Sequence, residues 1–226
     1  MNMKKRIPAY ILGMLILALG IVLVTKANIG IAPASCIPYT LFVLFPFFTF
    51  GTWTSLFHFL CVLAQLVVMR RLTVKLVLQI PLAYVFGKII DLFGILLNFT
   101  ATSFAMGLLV LFGAILCLCF GISIVAGADL MLPPPDAMLR TISAKSSWPM
   151  GRTKFVGDIC FVLSAIVLSS ILVQTPLLVI GVATVLCMLL TGNGVSLIQR
   201  LMPFLDLRVK APQEAPAPDF SGTKTT

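Results

Sequence analysis

Gly20-Ile21-x-x-Val24-x-x-Ala27-Asn28-Ile29-x-x-x-Pro33 returns later in the chain as Gly121-Ile122-x-x-Val125-x-x-Ala128-Asp129-Leu130-x-x-x-Pro134. Each pair is separated by 101 positions. Phe50-Gly51-Thr52 then answers Met150-Gly151-Arg152 at a separation of 100, so one deletion lies between the two matches. Chance matches in apolar sequence share Leu, Ile and Val. These stretches share their punctuation instead: a Gly, a small polar Asn or Asp, a Pro, and a further Gly. The chain reads as a tandem duplication of about a hundred residues, and such repeats have to be recognised before any fold is assigned. The organisation it predicts is a first repeat over residues 1–103, a second over 104–205, and a Pro-rich polar tail over 206–226 that is expected to be disordered.

Composition sets the class. Of the 226 residues, 60% are hydrophobic and 10% charged, and the mean hydropathy is +1.12. Those values lie far from an ordinary soluble domain. Apolar runs fall at about 7–26, 51–69, 74–97, 104–126, 155–173 and 176–199, each near the roughly 20 residues that cross a bilayer core. The net charge of +9 sits at the ends of these runs. That is where topology is set in a membrane, which argues against a nucleic-acid partner. The run from Ile7 follows Lys4-Lys5-Arg6 like a signal peptide, but no A-x-A-like cleavage site follows. It is therefore expected to be the first span.

The flanking charges give an orientation. Lys4, Lys5 and Arg6 precede the first span, and the 27–50 connection carries no Lys or Arg. Arg70, Arg71 and Lys75 follow the second span, and the third exits to the uncharged loop Asn98 to Ser103. Arg140, Lys145, Arg152 and Lys154 follow the fourth. A short uncharged turn around Gln174 to Pro176 joins the last two spans, and Arg200, Arg208 and Lys210 end the set. All basic clusters then lie on one side, with both termini cytoplasmic. Three spans per repeat make the second copy enter from the opposite face. The expected fold is therefore an all-α membrane protein of six transmembrane helices arranged as two inverted-topology three-helix repeats, the plan of many secondary transporters.

Each repeat also carries an extra short segment. Residues 34–50 are apolar but interrupted by Pro38 and Pro46, whereas the equivalent 135–150 carries Asp136, Arg140, Lys145, Ser146 and Ser147. A span in one half should be a span in the other, and 135–150 cannot cross. Both are expected to be short helices, re-entrant or interfacial, opened by Pro33 and Pro134 at a position where a missing N–H costs nothing.

The polar residues retained at equivalent sites are the candidates for function. Asn28 and Asp129 follow the end of a helix, where they either form the turn or line a path. Ser35 and Asp136 stand two residues after the paired prolines, where they either cap a short helix or line the same path. His58 and Asp158 each lie seven residues past Gly51 and Gly151, inside spans, where ionisable groups are costly and usually face the interior. His58 is the only imidazole and a candidate for proton coupling. Lys88 and Asp91 can pair at i,i+3 on the third span, statically or in a pathway. Gln65 is a candidate interhelical hydrogen-bond partner. Pathway entrances are expected near Asn28, Ser35, Asp129 and Asp136, with His58 and Asp158 deeper.

Six cysteines (Cys36, Cys61, Cys117, Cys119, Cys160, Cys187) fall mainly in apolar runs without a CxxC pair. They are expected as free thiols, with no metal site and no cofactor. No Walker loop and no Ser-His-Asp set is present, so no catalytic residue is assigned.

At Ala27-Asn28-Ile29-Gly30-x-x-Pro33 and Ala128-Asp129-Leu130-x-x-x-Pro134-Pro135-Asp136 the chain resembles the bacterial YczE/YyaS/YitT-like membrane proteins. Their halves each carry an Ala-Asp-Leu-Gly-x-x-Pro-x-Asp type stretch and then a Gly-Thr-Trp-like helix start, supplied here by Phe50-Gly51-Thr52-Trp53. The likeness covers most of residues 6–205. Asn28 stands where Asp is usual, Ala34-Ser35 replaces a Trp-Asp pair, and Met131 replaces a Gly. An acidic site in the first half is thus not implied. The resemblance implies a multi-pass protein of the bacterial plasma membrane and supplies no biochemical activity. The function expected from duplication and intramembrane polar groups is a small-solute or ion transporter or channel-like permease with its pathway at the repeat interface. The alternative is a non-transporting accessory or regulatory membrane protein, and an intramembrane enzyme comes third. The partners expected are the lipid bilayer and a small-molecule or ion substrate, and homo-oligomers are compatible with the sequence.

Overall fold

A computed structural model of the protein describes residues 3–146, 148–173 and 179–201. Ser147, the expected turn at Gln174 to Pro176, the tail 206–226 with Arg208 and Lys210, and the side chains of Lys4 and Lys5 lie outside the described residues. The described chain forms eight helices: α1 Met3–Ala27, α2 Pro33–Leu44, α3 Phe50–Met69, α4 Val74–Leu96, α5 Phe104–Ala128, α6 Pro134–Ser146, α7 Met150–Val173 and α8 Val182–Leu201. Among the described residues there is no strand. Six of the helices, all but α2 and α6, are long and apolar enough to cross a bilayer. The protein is a multi-pass, all-helical membrane protein by this measure.

Helix ends follow the sequence punctuation closely. α1 and α5 stop at Asn28 (φ 56°) and Asp129 (φ 49°), both in the left-handed region that Asn and Asp tolerate better than other side chains. α2 opens on Pro33 after an extended Ala32, and α6 opens on Pro134. Thr49, Thr73 and Ser103 cap α3, α4 and α5, each accepting a hydrogen bond from the backbone N–H three residues on. α7 begins at Met150 rather than near 155, so Arg152 and Lys154 belong to the helix and not to a basic connection. α8 begins at Val182, later than the expected 176.

α1 and α5 form the central pair and run antiparallel. Arg6 near the start of α1 donates to the carbonyls of Ala128 and Asp129 at the end of α5 (2.8 and 2.7 Å). At the opposite end Ala101, ahead of α5, donates its N–H to Lys26 O (2.8 Å). Where they cross, the contact is reciprocal. A Cβ at Gly20 would stand 2.9 Å from Leu118 N, and one at Gly121 would stand 2.7 Å from Leu17 N. Gly20 and Gly121 stand 101 positions apart, and so do Leu17 and Leu118. Only glycine lets the two backbones approach this closely.

The other helices pack in matching fashion. α4 lies on α1 as α8 lies on α5; α2 lies on α7 as α6 lies on α3; α2 also touches α3 as α6 touches α7. The main core is built from buried α1, α4 and α5 residues such as Leu17, Val24, Phe86, Ile90, Leu111 and Val125. One match fails: α3 and α4 are closely joined, while α7 and α8 barely touch.

Candidate functional site

The two short helices decide where the polar groups meet. α2 starts beside the middles of α1, α3, α4 and α5: its first turn (Pro33, Ala34, Ser35) shares a cavity with Leu17, His58, Phe86 and Leu118. It ends near the start of α3, where Trp53 donates its indole N–H to Phe45 O (3.1 Å). α6 repeats this from the other end. Pro135 and Asp136 line the same cavity, and Lys145 near its C-terminus donates to Val68 O at the end of α3 (2.8 Å). Both short helices therefore begin at the centre of the bundle, nose to nose, and run outward. Their shared cavity has a volume of about 70 Å³.

An ionic cluster closes one side of it. Lys154 on α7 lies 2.8 Å from Asp158 Oδ1, one turn further on, and 3.3 Å from Asp136 Oδ1 on α6. All three side chains are a quarter exposed or less, and all three line the cavity. Burial of charge is tolerated here because each charged group has a partner of opposite sign. The set has two carboxylates against one ammonium.

His58 and Ser35 line the first-half side of the cavity. His58 is 5% exposed, its ring stacks on Phe86 at 5.7 Å, and its Nδ1 has no hydrogen-bond partner among the described residues. A buried polar atom without a partner is uncommon and costs about 1–3 kcal/mol. Tyr10, Thr40 and Ser123 also carry an unpartnered buried oxygen, but among the described residues only His58 of these four lines the cavity.

The structure thus brings together Ser35, His58, Asp136 and Asp158. Ser35 and Asp136 sit at the centre with the other two, not at outer entrances. Asn28 and Asp129 are exposed and lie at the ends of their helices, with Asp129 held by Arg6 at 3.2 Å. Lys88 and Asp91 do approach to 3.9 Å, but Lys88 is half exposed and Asp91 is engaged elsewhere. Its carboxylate accepts from Thr49 Oγ1 (2.6 Å) and Gly51 N (2.7 Å), tying α4 to the start of α3. The pair stands outside the cavity. Pro33 and Pro134 open α2 and α6, and Gly51 and Gly151 lie in the first turns of α3 and α7. Gln65 donates to Gln79 Oε1 (3.0 Å) and Pro134 O (3.3 Å), the interhelical role expected of it. Cys36, Cys61, Cys119 and Cys187 are buried free thiols, Cys117 is half-buried and Cys160 exposed.

Lys154 is the cavity-lining charge that sequence reasoning missed. Its place in the sequence is among charges flanking a span, yet it lies half-buried between two carboxylates. A signal existed: Lys154 precedes Asp158 by four residues, the spacing at which side chains on a helix meet.

Access to the cavity differs between its two ends. A cleft of about 590 Å³ among α5, α6, α7 and α8 shares Ile122, Asp136, Lys154 and Thr191 with the cavity and continues past Arg140, Ser143 and Gln199. At the opposite end a hollow of about 490 Å³ is lined by Asn28, Gly30, Tyr39, Phe104 and Val182 and shares no residue with the cavity.

Residues 4–200 match a family of unknown function, DUF6198, and the chain belongs to that family. No curated protein and no solved structure matches it.

Proposed function

We propose that the protein is a small-solute or ion permease whose route runs through the central cavity, between two halves of opposite topology. The observation that carries this reading is the cavity itself. It holds buried, functionally versatile groups at the start of two half-length helices, in a chain that is otherwise 60% hydrophobic. Ionisable residues are expensive at such a depth and mark substrate paths in membrane proteins. Half-helices that meet near the midplane are a recurring way to build a solute site. The cleft past Lys154 provides an entrance from one side, while the hollow near Asn28 stops short of the centre.

Several features support the inverted arrangement. α1 and α5 are antiparallel, their crossing is reciprocal through equivalent glycines, and most helix pairings have a counterpart in the other half. A two-fold axis between antiparallel spans lies in the membrane plane. On this reading α2 and α6 are re-entrant, dipping in from opposite faces. The basic clusters then put both termini in the bacterial cytoplasm. This reading also keeps the kinship to the YczE/YyaS/YitT-like proteins and assigns no catalytic step. Cysteine labelling from outside in intact cells tests it: residues near 28–30 should react and those near 129–131 should not. Labelling of both sets ends the inverted arrangement.

The alternative is an accessory membrane protein with no route. Reconstituted liposomes separate the two. The wild-type protein should speed the swelling or flux of at least one solute among urea, formamide, glycerol, ammonium and alkali chlorides, and Lys154→Met should abolish that gain. If none of these crosses faster than in protein-free liposomes, the accessory reading replaces this one.

A further inference from the structure

Three pairs of positions answer each other around the centre, and all six residues but Thr54 line the cavity. Ser35 answers Asp136, Thr54 answers Lys154, and His58 answers Asp158, at separations of 101, 100 and 100. In the second half their occupants form a closed set, with the Lys154 ammonium between two carboxylates. In the first half the lysine position is a threonine. Thr54 is too short to reach across, and its hydroxyl donates back to Phe50 O (2.8 Å). The two groups that an ammonium would bridge are left uncovered. Ser35 makes no side-chain hydrogen bond among the described residues, and His58 Nδ1 is buried without a partner. The first half is built like the second with its cation removed.

The chemistry of the walls decides what fits. Acceptors are in excess: the Asp136 and Asp158 carboxylates, the Ser35 hydroxyl and the His58 ring. The one cation, Lys154, is already committed twice. An anion would find few donors, although two helix N-termini point here. Pro33, Pro134 and Pro135 have no N–H, Ser35 N is bonded to Ala32 O, and Ala137 N to Pro133 O. Alkali ions prefer oxygen ligands, and an imidazole nitrogen suits an N–H donor better. A volume of about 70 Å³ admits a ligand of only a few heavy atoms.

We propose that the cavity binds a small ammonium-type cation, ammonium or methylammonium, whose N–H groups are accepted by His58 and Ser35 in the place that mirrors the Lys154 ammonium. Asp136 and Asp158, one charge in excess over Lys154, supply the countercharge. As a statement about transport this rests on the permease reading; as a statement about binding it does not.

The chain has one histidine, so its ring signals in nuclear magnetic resonance report this site without assignment. The full-length protein in nanodiscs, with ring-15N-labelled histidine, is titrated with ammonium or methylammonium chloride at constant pH and ionic strength. Sodium and potassium chloride serve as controls. The expected result is a saturable shift of the His58 signals with the two ammonium salts only. Ser35→Ala should weaken binding about tenfold, the equivalent of one hydrogen bond to a charged group. Thr54→Lys carries its own ammonium and should abolish the response; should it fail to fold, the Ser35→Ala titration decides alone. Absence of a saturable shift, or an equal shift with sodium or potassium, overturns the proposal. A shift without faster flux of ammonium or of any other solute tested in liposomes keeps the binding site and removes the permease reading. Flux of another solute without a shift does the reverse.

Discussion

Gly51 of α3 and Gly151 of α7 stand 100 positions apart, and the α3–α4 and α7–α8 seams beside them have opposite fates. At α3–α4 the helices are in backbone contact. A Cβ on Gly51 would run into Gly87 O, and one on Gly87 would run into Gly51 O and the Ser55 hydroxyl. Asp91 then ties the seam to the start of α3 through Thr49 and Gly51 N. At α7–α8 a Cβ on Gly151 would meet nothing within 4 Å, nor would one on Gly192, and the cleft that reaches Lys154 lies between. The same glycine is kept in both halves, but it packs in only one. Sequence symmetry therefore does not impose structural symmetry. The open seam lies beside the half with the charged cluster, and the closed seam beside the half whose equivalent positions are neutral.

The largest effect should come from the charged half. Lys154→Met leaves Asp136 and Asp158 facing each other without a cation, and breaking a buried pair of this kind costs about 3–5 kcal/mol. Because Lys154 remains a quarter exposed, the lower end, about 3 kcal/mol, is expected, read as a large fall in the thermal midpoint in detergent. Thr54→Val at the mirrored site removes only a side chain to backbone hydrogen bond, about 1 kcal/mol. Equal losses at the two sites would show that the ionic cluster does not distinguish the halves.

Next comes the seam itself. An Ala in place of a helical Gly normally stabilises by about 0.5–1 kcal/mol. Gly151→Ala should show that gain or no change. Gly87→Ala should instead lose about 1–3 kcal/mol or more, because the methyl meets the Gly51 backbone carbonyl as well as the Ser55 hydroxyl, and the backbone has nowhere to move. Paired thermal unfolding of the two variants checks this directly. If Gly87→Ala is as well tolerated as Gly151→Ala, the closed seam is not a tight contact.

This contrast also marks what could be read from the amino acids alone. The repeated Gly, Asn or Asp, and Pro located the ends of α1 and α5 and the starts of α2 and α6, because those positions are governed by local backbone chemistry. The expectation that His58 and Asp158 face inward followed from the cost of burying them, and they are 5% and 4% exposed. Lys154 was not legible. A lysine near a span end reads as a topology signal whether it faces water or a carboxylate, and only the packing of α6 on α7 distinguishes the two. The choice between interfacial and re-entrant short helices was equally closed to sequence. α6 buries Pro134, Pro135, Ala137 and Leu139 while its last residues are exposed, so apart from Asp136 its polar residues lie toward the outer end. Gly51 and Gly151 look alike until their neighbours are placed, and only Gly87, whose place 100 positions on is taken by Cys187, separates the two seams in the sequence.

Asp91 sharpens the comparison at a smaller scale. Its carboxylate sits at the N-terminus of α3, where negative charge is favourable, and it accepts two short hydrogen bonds. Asp91→Asn keeps the shape but loses the charge and one strong acceptor, so a loss of about 1 kcal/mol is expected. Lys88→Met should change little, because Lys88 is 50% exposed and 3.9 Å away, and exposed pairs contribute about 0–1 kcal/mol. If Lys88→Met were the more damaging of the two, Asp91 would owe its position to the ion pair and not to the helix start.

The smallest effects should be at the matched helix ends, and they discriminate between turn and pathway for Asn28 and Asp129. Both residues hold a left-handed backbone, at φ 56° and 49°. Glycine adopts that conformation freely, so Asn28→Gly should leave stability within about 0.5 kcal/mol. Asp129→Gly meets the same backbone requirement but also removes the carboxylate that Arg6 holds at 3.2 Å. The Arg6 bonds to the carbonyls of Ala128 and Asp129 survive the change, which limits the loss to that of one exposed ion pair, about 0–1 kcal/mol. High salt screens exposed pairs. The difference between the two glycine variants should therefore shrink as salt is raised, and this is measured as paired thermal midpoints at low and high ionic strength. A difference that persists at high salt would mean that Asp129 does more than pin α1 to α5. If either variant lost solute flux while keeping its thermal midpoint, the turn reading would fail for that residue and its place on the pathway would stand.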